Sequence, residues 1–149
     1  MADKQLFPVF EMPSVDIVKQ SEEQKYKSSV YFDFNTGDFK QDGAHKLIPA
    51  NGREAYRQWC IKIVLTERYD HLAYSMDIGT ELNEAMQEPE ISAIKSALER
   101  TITEALMVNK HTEYVRDFTF SREADCMRLS FTVKGYDLEE QQINLTIPV

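Results

Sequence analysis

The last third of the chain alternates apolar and polar residues, and this pattern limits its fold more than any other feature. The alternation runs through residues 127–134 and again through residues 142–147. A preceding segment places Tyr114, Phe118 and Phe120 on one face of a predicted strand. A period of two is typical of strands with one buried and one wet face. We therefore predict a C-terminal antiparallel meander of three strands, with helices covering its apolar face.

Two segments before the meander have the period of amphipathic helices. In the first, apolar residues recur through residues 55–64, and Asn51 with Glu54 forms a predicted capping box at its start. The second spans residues 89–106, with Pro89 in its first turn and Asn109 as a left-handed stop. A sheet beside two main helices predicts a two-layer α+β domain.

The N-terminal part of the chain has weaker patterns. Residues 1–28 contain two prolines and do not keep one apolar period, so we predict an extended leader or arm. Val30, Phe32 and Phe34 alternate with polar neighbours and predict a strand that ends in a turn at residues 35–38. The length of 149 residues fits one domain, which we assign to residues 29–149.

The charge distribution argues against several classes of partner. The formal net charge is -8, and acids outnumber bases in each third of the chain. Nucleic acids and anionic membrane surfaces bind clustered cations, so we expect no nucleic-acid partner. No apolar run is long enough to span a bilayer, and no secretory signal is visible, so we expect no membrane insertion.

The sequence offers little that points to bond chemistry. Its three histidines and two cysteines have no metal-ligand spacing, and its five glycines form no phosphate-binding loop. Glu67 and Asp77 flank the loop after the first helix and could be nominated as the carboxylate pair of a glycosidase. A solvated acidic loop or a capping role is the simpler explanation, since nothing in the sequence marks either residue as a buried acid. We therefore expect no catalytic, cofactor-binding or metal-binding residues, and no cofactor.

A series of short motifs resembles one protein family in order and spacing. Residues 32–39 read Phe-Asp-Phe-Asn-Thr-Gly-Asp-Phe, and a helix like residues 53–59 follows. A Leu-Thr-Glu-Arg stretch at 65–68, an Asp-Ile-Gly at 77–79 and a helix ending Glu-Ala-Leu at 104–106 complete the pattern. In these features the chain resembles the baseplate wedge family of contractile injection systems, closest to the PBSX-prophage type and related to a type VI secretion baseplate subunit.

The resemblance implies a non-enzymatic structural subunit whose fold is similar to the handshake domain of tail sheath proteins. Its implied partners are the large baseplate wedge proteins, the tail sheath protein and other baseplate or hub subunits. Its implied location is the baseplate of a virion or tail-like particle, assembled in the host bacterial cytoplasm. The family was historically called lysozyme-like, so a small tail-associated cell-wall hydrolase is the alternative.

Two segments are the candidate protein interfaces. Wider family members carry Glu-Pro-Arg or Asp-Pro-Arg after the long helix, where this chain has Asn109-Lys110-His111, followed by Thr112. We expect this loop to contact a large wedge protein. The last predicted strand is a terminal one, and its outward residues are Gln142, Asn144 and Thr146. Edge strands accept strands from partners, and the resemblance implies an arm of a sheath subunit here.

Overall fold

A computed structural model describes residues 26–148 of the protein, so most of the predicted leader lies outside the described residues. The predicted α+β class is confirmed. The elements are β1 (Ser29–Val30), β2 (Phe32–Asp33), β3 (Asp38–Phe39), β4 (Pro49–Ala50), α1 (Gly52–Leu65), α2 (Leu82–Ala85), α3 (Ile91–Met107), β5 (Thr112–Glu123), β6 (Cys126–Gly135) and β7 (Gln141–Pro148).

The last three strands form the predicted antiparallel meander, in the order β5-β6-β7. β6 is central, and its register runs from Cys126 opposite Pro148 to Val133 opposite Gln141. Helix α3 packs over β5 and helix α1 packs over β7. The core between the two layers is made of fully buried side chains: Tyr56, Leu98, Ile102, Leu106, Met127, Leu129, Phe131, Val133 and Ile143.

A bulge in β5 corrects the predicted face of Tyr114. Arg116 faces Thr132 and Thr119 faces Ser130, so β5 has one more residue than β6 across this interval. Asp117 takes a positive φ of 58° there. An extra residue shifts the alternation by one, which leaves Tyr114 on the wet face while Phe118 and Phe120 pack against the core. The prediction that all three aromatics share a face was wrong.

The start of α1 also differs from its predicted form. Asn51 has extended backbone angles but makes no side-chain capping bond, so the capping box with Glu54 does not form. The N–H of Glu54 instead donates to the backbone C=O of Asn51 at 3.1 Å. The amphipathic stripe of α1 still buries Tyr56, Cys60 and Val64 completely. Burial of this stripe, rather than the cap, fixes the helix on the sheet.

The N-terminal strands are short and pair as two small antiparallel ladders, β1 with β4 and β2 with β3. They are attached to α1 by the side chain of Gln58, whose Oε1 accepts the N–H of Phe32 at 3.1 Å. Just before β1, the ring of Tyr26 packs edge-on against the ring of Tyr56 at a centroid distance of 5.3 Å. Tyr26, a residue of the predicted leader segment, therefore contacts the core.

Candidate protein interface

The loop after α3 is built around the side chain of Asn109. Its Oδ1 accepts the N–H of His111 at 3.0 Å, and its backbone C=O accepts the N–H of Thr112 at 2.9 Å. Asn109 has no positive φ, so the predicted left-handed stop is wrong, and a side-chain turn ends the helix instead. This turn leaves Lys110 exposed and Asn109 and His111 half-buried.

Thr112 does not share the exposure predicted for this loop. It is 4% exposed, and its Oγ1 accepts the hydroxyl of Tyr56 at 3.0 Å. The structure therefore places Thr112 in the core, as the first residue of β5. Asn109, Lys110 and His111 are the members of the predicted set that reach the surface.

The turn after β6 extends this loop into a broader surface. Val108, Lys110 and His111 line a shallow depression together with Tyr136 and Asp137. Sequence reasoning missed Tyr136 and Asp137, because the β6–β7 turn is distant from the loop in the chain, and it also missed Val108, the residue just before the loop. The two segments are joined by the N–H of Tyr136, which donates to the C=O of His111 at 2.8 Å.

Gly135 allows this close approach. A Cβ atom at this position would lie 2.9 Å from Leu138 Cδ1 and 3.1 Å from the C=O of His111. Contacts that short are too close for any other residue to fit without displacing a neighbour. The glycine therefore fixes how the two loops meet.

The backbone of β6 shows which way the groups of β7 point. The bond from Tyr136 to His111 lies just outside the facing pair Thr112 and Gly135, so that pair exchanges no hydrogen bonds of its own. Gly135 therefore directs its N–H and C=O away from β5, toward the β7 side. The direction of the backbone N–H and C=O groups alternates from one residue to the next along a strand. Those of the other odd-numbered residues of β6 therefore also point toward β7.

The even-numbered residues of β7 consequently point their backbone groups to the open edge. The odd-numbered residues of β6 face residues 141, 143, 145 and 147, which take up their hydrogen bonds. Gln142, Asn144 and Thr146 lie between these and are all exposed. Among residues 26–148 no strand pairs with the outer side of β7. The predicted outward side chains are thus confirmed, and their backbone donors and acceptors face the same open edge.

The nominated carboxylates, Glu67 and Asp77, have different surroundings. Burial raises the pKa of Glu67, while the backbone N–H groups of Asn83 and Leu82 act in the opposite direction. These N–H groups lie at the start of α2, where an acidic side chain is favourable. Asp77 lies in an exposed turn, where its carboxylate accepts the hydroxyl of Ser75 at 3.4 Å. The surroundings of Glu67 favour the capping alternative, and those of Asp77 fit a solvated acidic loop.

The loop between α1 and α2 exposes a further set of apolar side chains. Its ends are held together by backbone bonds of Thr80 with Thr66, 2.9 Å, and with Arg68, 2.8 Å. Beyond this neck, Tyr69, Leu72 and Met76 are 66%, 105% and 77% exposed. The sequence contains these residues, but no periodicity distinguishes an exposed apolar loop from a core segment. A rigid neck with an apolar tip is a surface suited to protein contacts.

Other kinds of site find no support in the described residues. Among residues 26–148 there is no cluster of three His, Cys, Asp or Glu side chains that could hold a metal ion. None of the helices in this part of the chain is long and apolar enough to cross a bilayer.

Comparison with known proteins decides the family. A family model described as the contractile injection system sheath initiator matches residues 28–138. The chain belongs to this family. This sheath initiator is also 31% identical over 121 residues to Phage-like element PBSX protein XkdS of Bacillus subtilis (strain 168), covering 80% of this chain and 82% of that relative. The resemblance inferred from the motifs is thereby confirmed.

Family membership gives this sheath initiator a structural role in the baseplate of a contractile injection system, with sheath and baseplate proteins as its partners. The matched residues include the 109–112 loop and the exposed loop between α1 and α2. Strand β7 begins at Gln141, beyond the last matched residue. Arguments about β7 therefore depend on its geometry in this chain.

Proposed function

We propose that this sheath initiator joins the large baseplate wedge proteins to the first sheath ring and so supports sheath assembly. It works as a non-enzymatic part of the baseplate of a virion or tail-like particle, assembled in the host bacterial cytoplasm. Contacts with other baseplate or hub subunits complete its partners. Two separate surfaces suit a joining role, the 109–111 loop and the edge of β7.

The open edge of β7 is the observation that supports this role most strongly. Gln142, Asn144 and Thr146 present exposed side chains and outward backbone groups along one continuous edge. Unpaired strand edges bind extended segments by adding a strand, and main-chain hydrogen bonds provide most of the affinity. We propose that an extended arm of a first-ring sheath subunit adds to β7 in this way.

Proline substitution at the edge tests the proposal. Asn144→Pro removes an N–H that points away from β6, so the domain stays folded while the arm loses a hydrogen bond. Because main-chain groups carry the affinity, Asn144→Ala retains sheath initiation. Sheath formation on purified baseplates is measured by electron microscopy, with circular dichroism as the check on folding.

Leu145→Pro is the matched control, because the N–H of Leu145 points inward to Leu129 of β6. This change damages the sheet and lowers the melting temperature, whereas Asn144→Pro does so much less. Normal sheath formation by folded Asn144→Pro would contradict strand addition at β7. Loss of sheath formation by Asn144→Ala would show that side chains carry the contact.

The 109–111 loop is the proposed contact for a large wedge protein. Lys110 is exposed at its tip, and Val108 and Tyr136 add apolar surface beside it, each about half exposed. Exposed aromatic and aliphatic side chains with a polar rim are a common composition of protein interfaces. The two surfaces have different chemistry, which suits two different partners.

The cell-wall hydrolase alternative is tested by its own assay. The raised pKa of Glu67 is the observation that favours it, since a general acid needs such a shift. We expect no clearing of purified cell walls by the isolated protein, because the nominated partner Asp77 lies in an exposed turn with Ser75, and the carboxylates that act on Glu67 are Asp70 and Glu81 instead. Clearing that Glu67→Gln or Asp77→Asn abolishes would establish the hydrolase instead.

A further inference from the structure

A groove of about 310 Å³ lies between α1, the residues before β1 and the loop after α3. It shares Asn109 and His111 with the 109–111 loop, and its other lining residues lie outside the surfaces proposed above for sheath and wedge contact. Trp59, Tyr26 and Ala55 supply apolar surface. The remaining lining residues are Lys27, Ser29, Gln58 and Lys62.

The side chain of Gln58 is the unusual member of this lining. It is 3% exposed, and its Oε1 accepts the N–H of Phe32 at 3.1 Å. Because Phe32 supplies a donor, the amide orientation is fixed and Nε2 must face elsewhere. Within residues 26–148, Nε2 has no hydrogen-bond partner. A buried donor without an acceptor is costly, and because Gln58 also lines the groove, a small rotation of its side chain brings Nε2 to an acceptor bound there.

The charges around the groove indicate the kind of acceptor. Lys27, Lys62 and His111 line it, and no acidic residue does. In the described part of the chain, neither lysine forms an ion pair. This is a local excess of positive charge on a protein with a formal net charge of -8. A carboxylate satisfies both the amide donor and the lysines, and it does so more strongly than a neutral carbonyl.

The apolar walls of the groove indicate a ligand that is larger than a single carboxylate and partly apolar. A small anion would leave Trp59 and Tyr26 uncovered, whereas a peptide segment can place an acid at Gln58 and apolar neighbours on the rings. We propose that this groove binds an extended segment of a partner protein with a glutamate or aspartate flanked by apolar residues. The proposal rests on the assembly role above for the kind of partner, while the chemistry of the groove is independent of it.

Trp59 provides a direct readout, since it is the single tryptophan of the chain and lines the groove. The probe is a blocked pentapeptide with one glutamate between leucines. The control peptide is identical except for a glutamine in place of the glutamate. Titration of the full chain up to millimolar peptide should shift the emission of Trp59. We expect the glutamate peptide to bind roughly tenfold more tightly than the glutamine peptide, from the added charge-assisted bonds.

Variants of the groove separate its chemistry from general charge. Gln58→Glu keeps the acceptor for Phe32 but places a negative charge where the amide donor was, so it should abolish binding of the glutamate peptide. Lys62→Glu should weaken binding several-fold without the risk of a buried charge, because Lys62 is exposed. Lys95→Glu, at an exposed position on α3 that does not line the groove, is the matched control and should bind normally.

Three outcomes would overturn the proposal. Equal affinity for the two peptides would show that no carboxylate is recognised, and an unchanged Trp59 emission would show that the groove does not bind this segment. Carbodiimide cross-links from Lys27 or Lys62 to an acid within residues 1–25 would identify the chain itself as the occupant. The folded Asn144→Pro variant binds the probe normally, so failure of the groove and failure of sheath initiation are distinguishable.

Discussion

The hydroxyl of Tyr56 donates to Oγ1 of Thr112 at 3.0 Å, and both side chains lie within the core. Tyr56 belongs to α1 and Thr112 begins β5, so this bond ties the first helix to the meander across 56 positions of sequence. Burial raises the pKa of the Tyr56 hydroxyl well above its usual range, which keeps it a neutral donor. The same contact holds the 109–111 loop against the domain, because that loop ends at Thr112.

Removing one partner of this pair should cost more than removing both. Tyr56→Phe leaves the Thr112 hydroxyl buried without its donor, and Thr112→Val leaves the Tyr56 hydroxyl without its acceptor. Each single change should lower the free energy of unfolding by about 1–3 kcal/mol. The double variant should recover part of that loss, which urea unfolding of the four proteins measures. Simple additivity of the two losses would contradict a coupled pair.

The thiol of Cys60 should make the protein sensitive to alkaline pH. Burial raises the pKa of Cys60 from 9.0 to about 12, while the neighbouring Tyr56 hydroxyl acts in the opposite direction. Between these values the unfolded chain has lost the thiol proton and the folded chain still holds it. The free energy of unfolding should therefore fall with rising pH, by about 1.4 kcal/mol per pH unit from this group.

The contribution of Cys60 is isolated by comparing two variants. Cys60→Ala removes the titrating group and should flatten the decline in stability between pH 9 and pH 12, as measured by urea unfolding. Cys126→Ala, which removes a half-buried thiol, is the matched control for the loss of a cysteine. An equal slope in Cys60→Ala and the parent protein would assign the decline to other groups.

Gly79 should be essential to the neck of the exposed loop between α1 and α2. Its φ is +100°, and a Cβ there would lie 2.6 Å from the C=O of Thr66. Gly79→Ala should lower the free energy of unfolding by about 2 kcal/mol or more, because both the backbone strain and the clash oppose it. Gly43→Ala is the control, since its Cβ would meet nothing within 4 Å, and it should change stability by less than about 0.5 kcal/mol. Similar thermal shifts for the two variants would remove the special role of Gly79.

Reversal of charge at the 109–111 loop should weaken binding without unfolding the protein. Lys110→Glu changes an exposed side chain, so the melting temperature should stay within about 2 °C of the parent. Binding to the large wedge protein in a pull-down should fall. Adding His111→Glu should weaken it further, with some loss of stability because His111 packs edge-on against Tyr26 at 5.3 Å. Lys46→Glu, an exposed change on another surface, is the control, and equal binding by it and Lys110→Glu would exclude the loop.

Much of the fold could be read from local patterns. The alternation in β6 and β7 predicted which side chains are buried, and Met127, Leu129, Phe131 and Ile143 are indeed core residues. A two-residue period records burial directly, because each strand has only two faces. The outward positions of Gln142, Asn144 and Thr146 followed from the same rule. The motifs also indicated the family. Each motif alone is a weak signal, but their order and spacing along the chain match the family pattern.

Departures from the predictions have a common cause. Asn51 does not cap α1, Asn109 turns the chain with its side chain, and a bulge at Asp117 moves Tyr114 to the opposite face. Each of these depends on how the backbone packs against neighbouring segments. The propensity of a residue for a turn or a cap does not specify which hydrogen bond its side chain makes. A bulge adds one residue to a strand and shifts its alternation of faces, and the apolar pattern alone does not show where this happens.

The sequence by itself determined the two-layer α+β class, the buried faces of the helices and strands, and the family of sheath initiators, because those depend on local periodicity and motif order. Only the tertiary structure decided which groups the candidate surfaces present. It directed the backbone of β7 to an open edge, joined the 109–111 loop to Tyr136, and left Gln58 Nε2 without a partner in the described residues. These features depend on contacts between residues that are distant in the chain, and a local pattern along the sequence does not report such contacts.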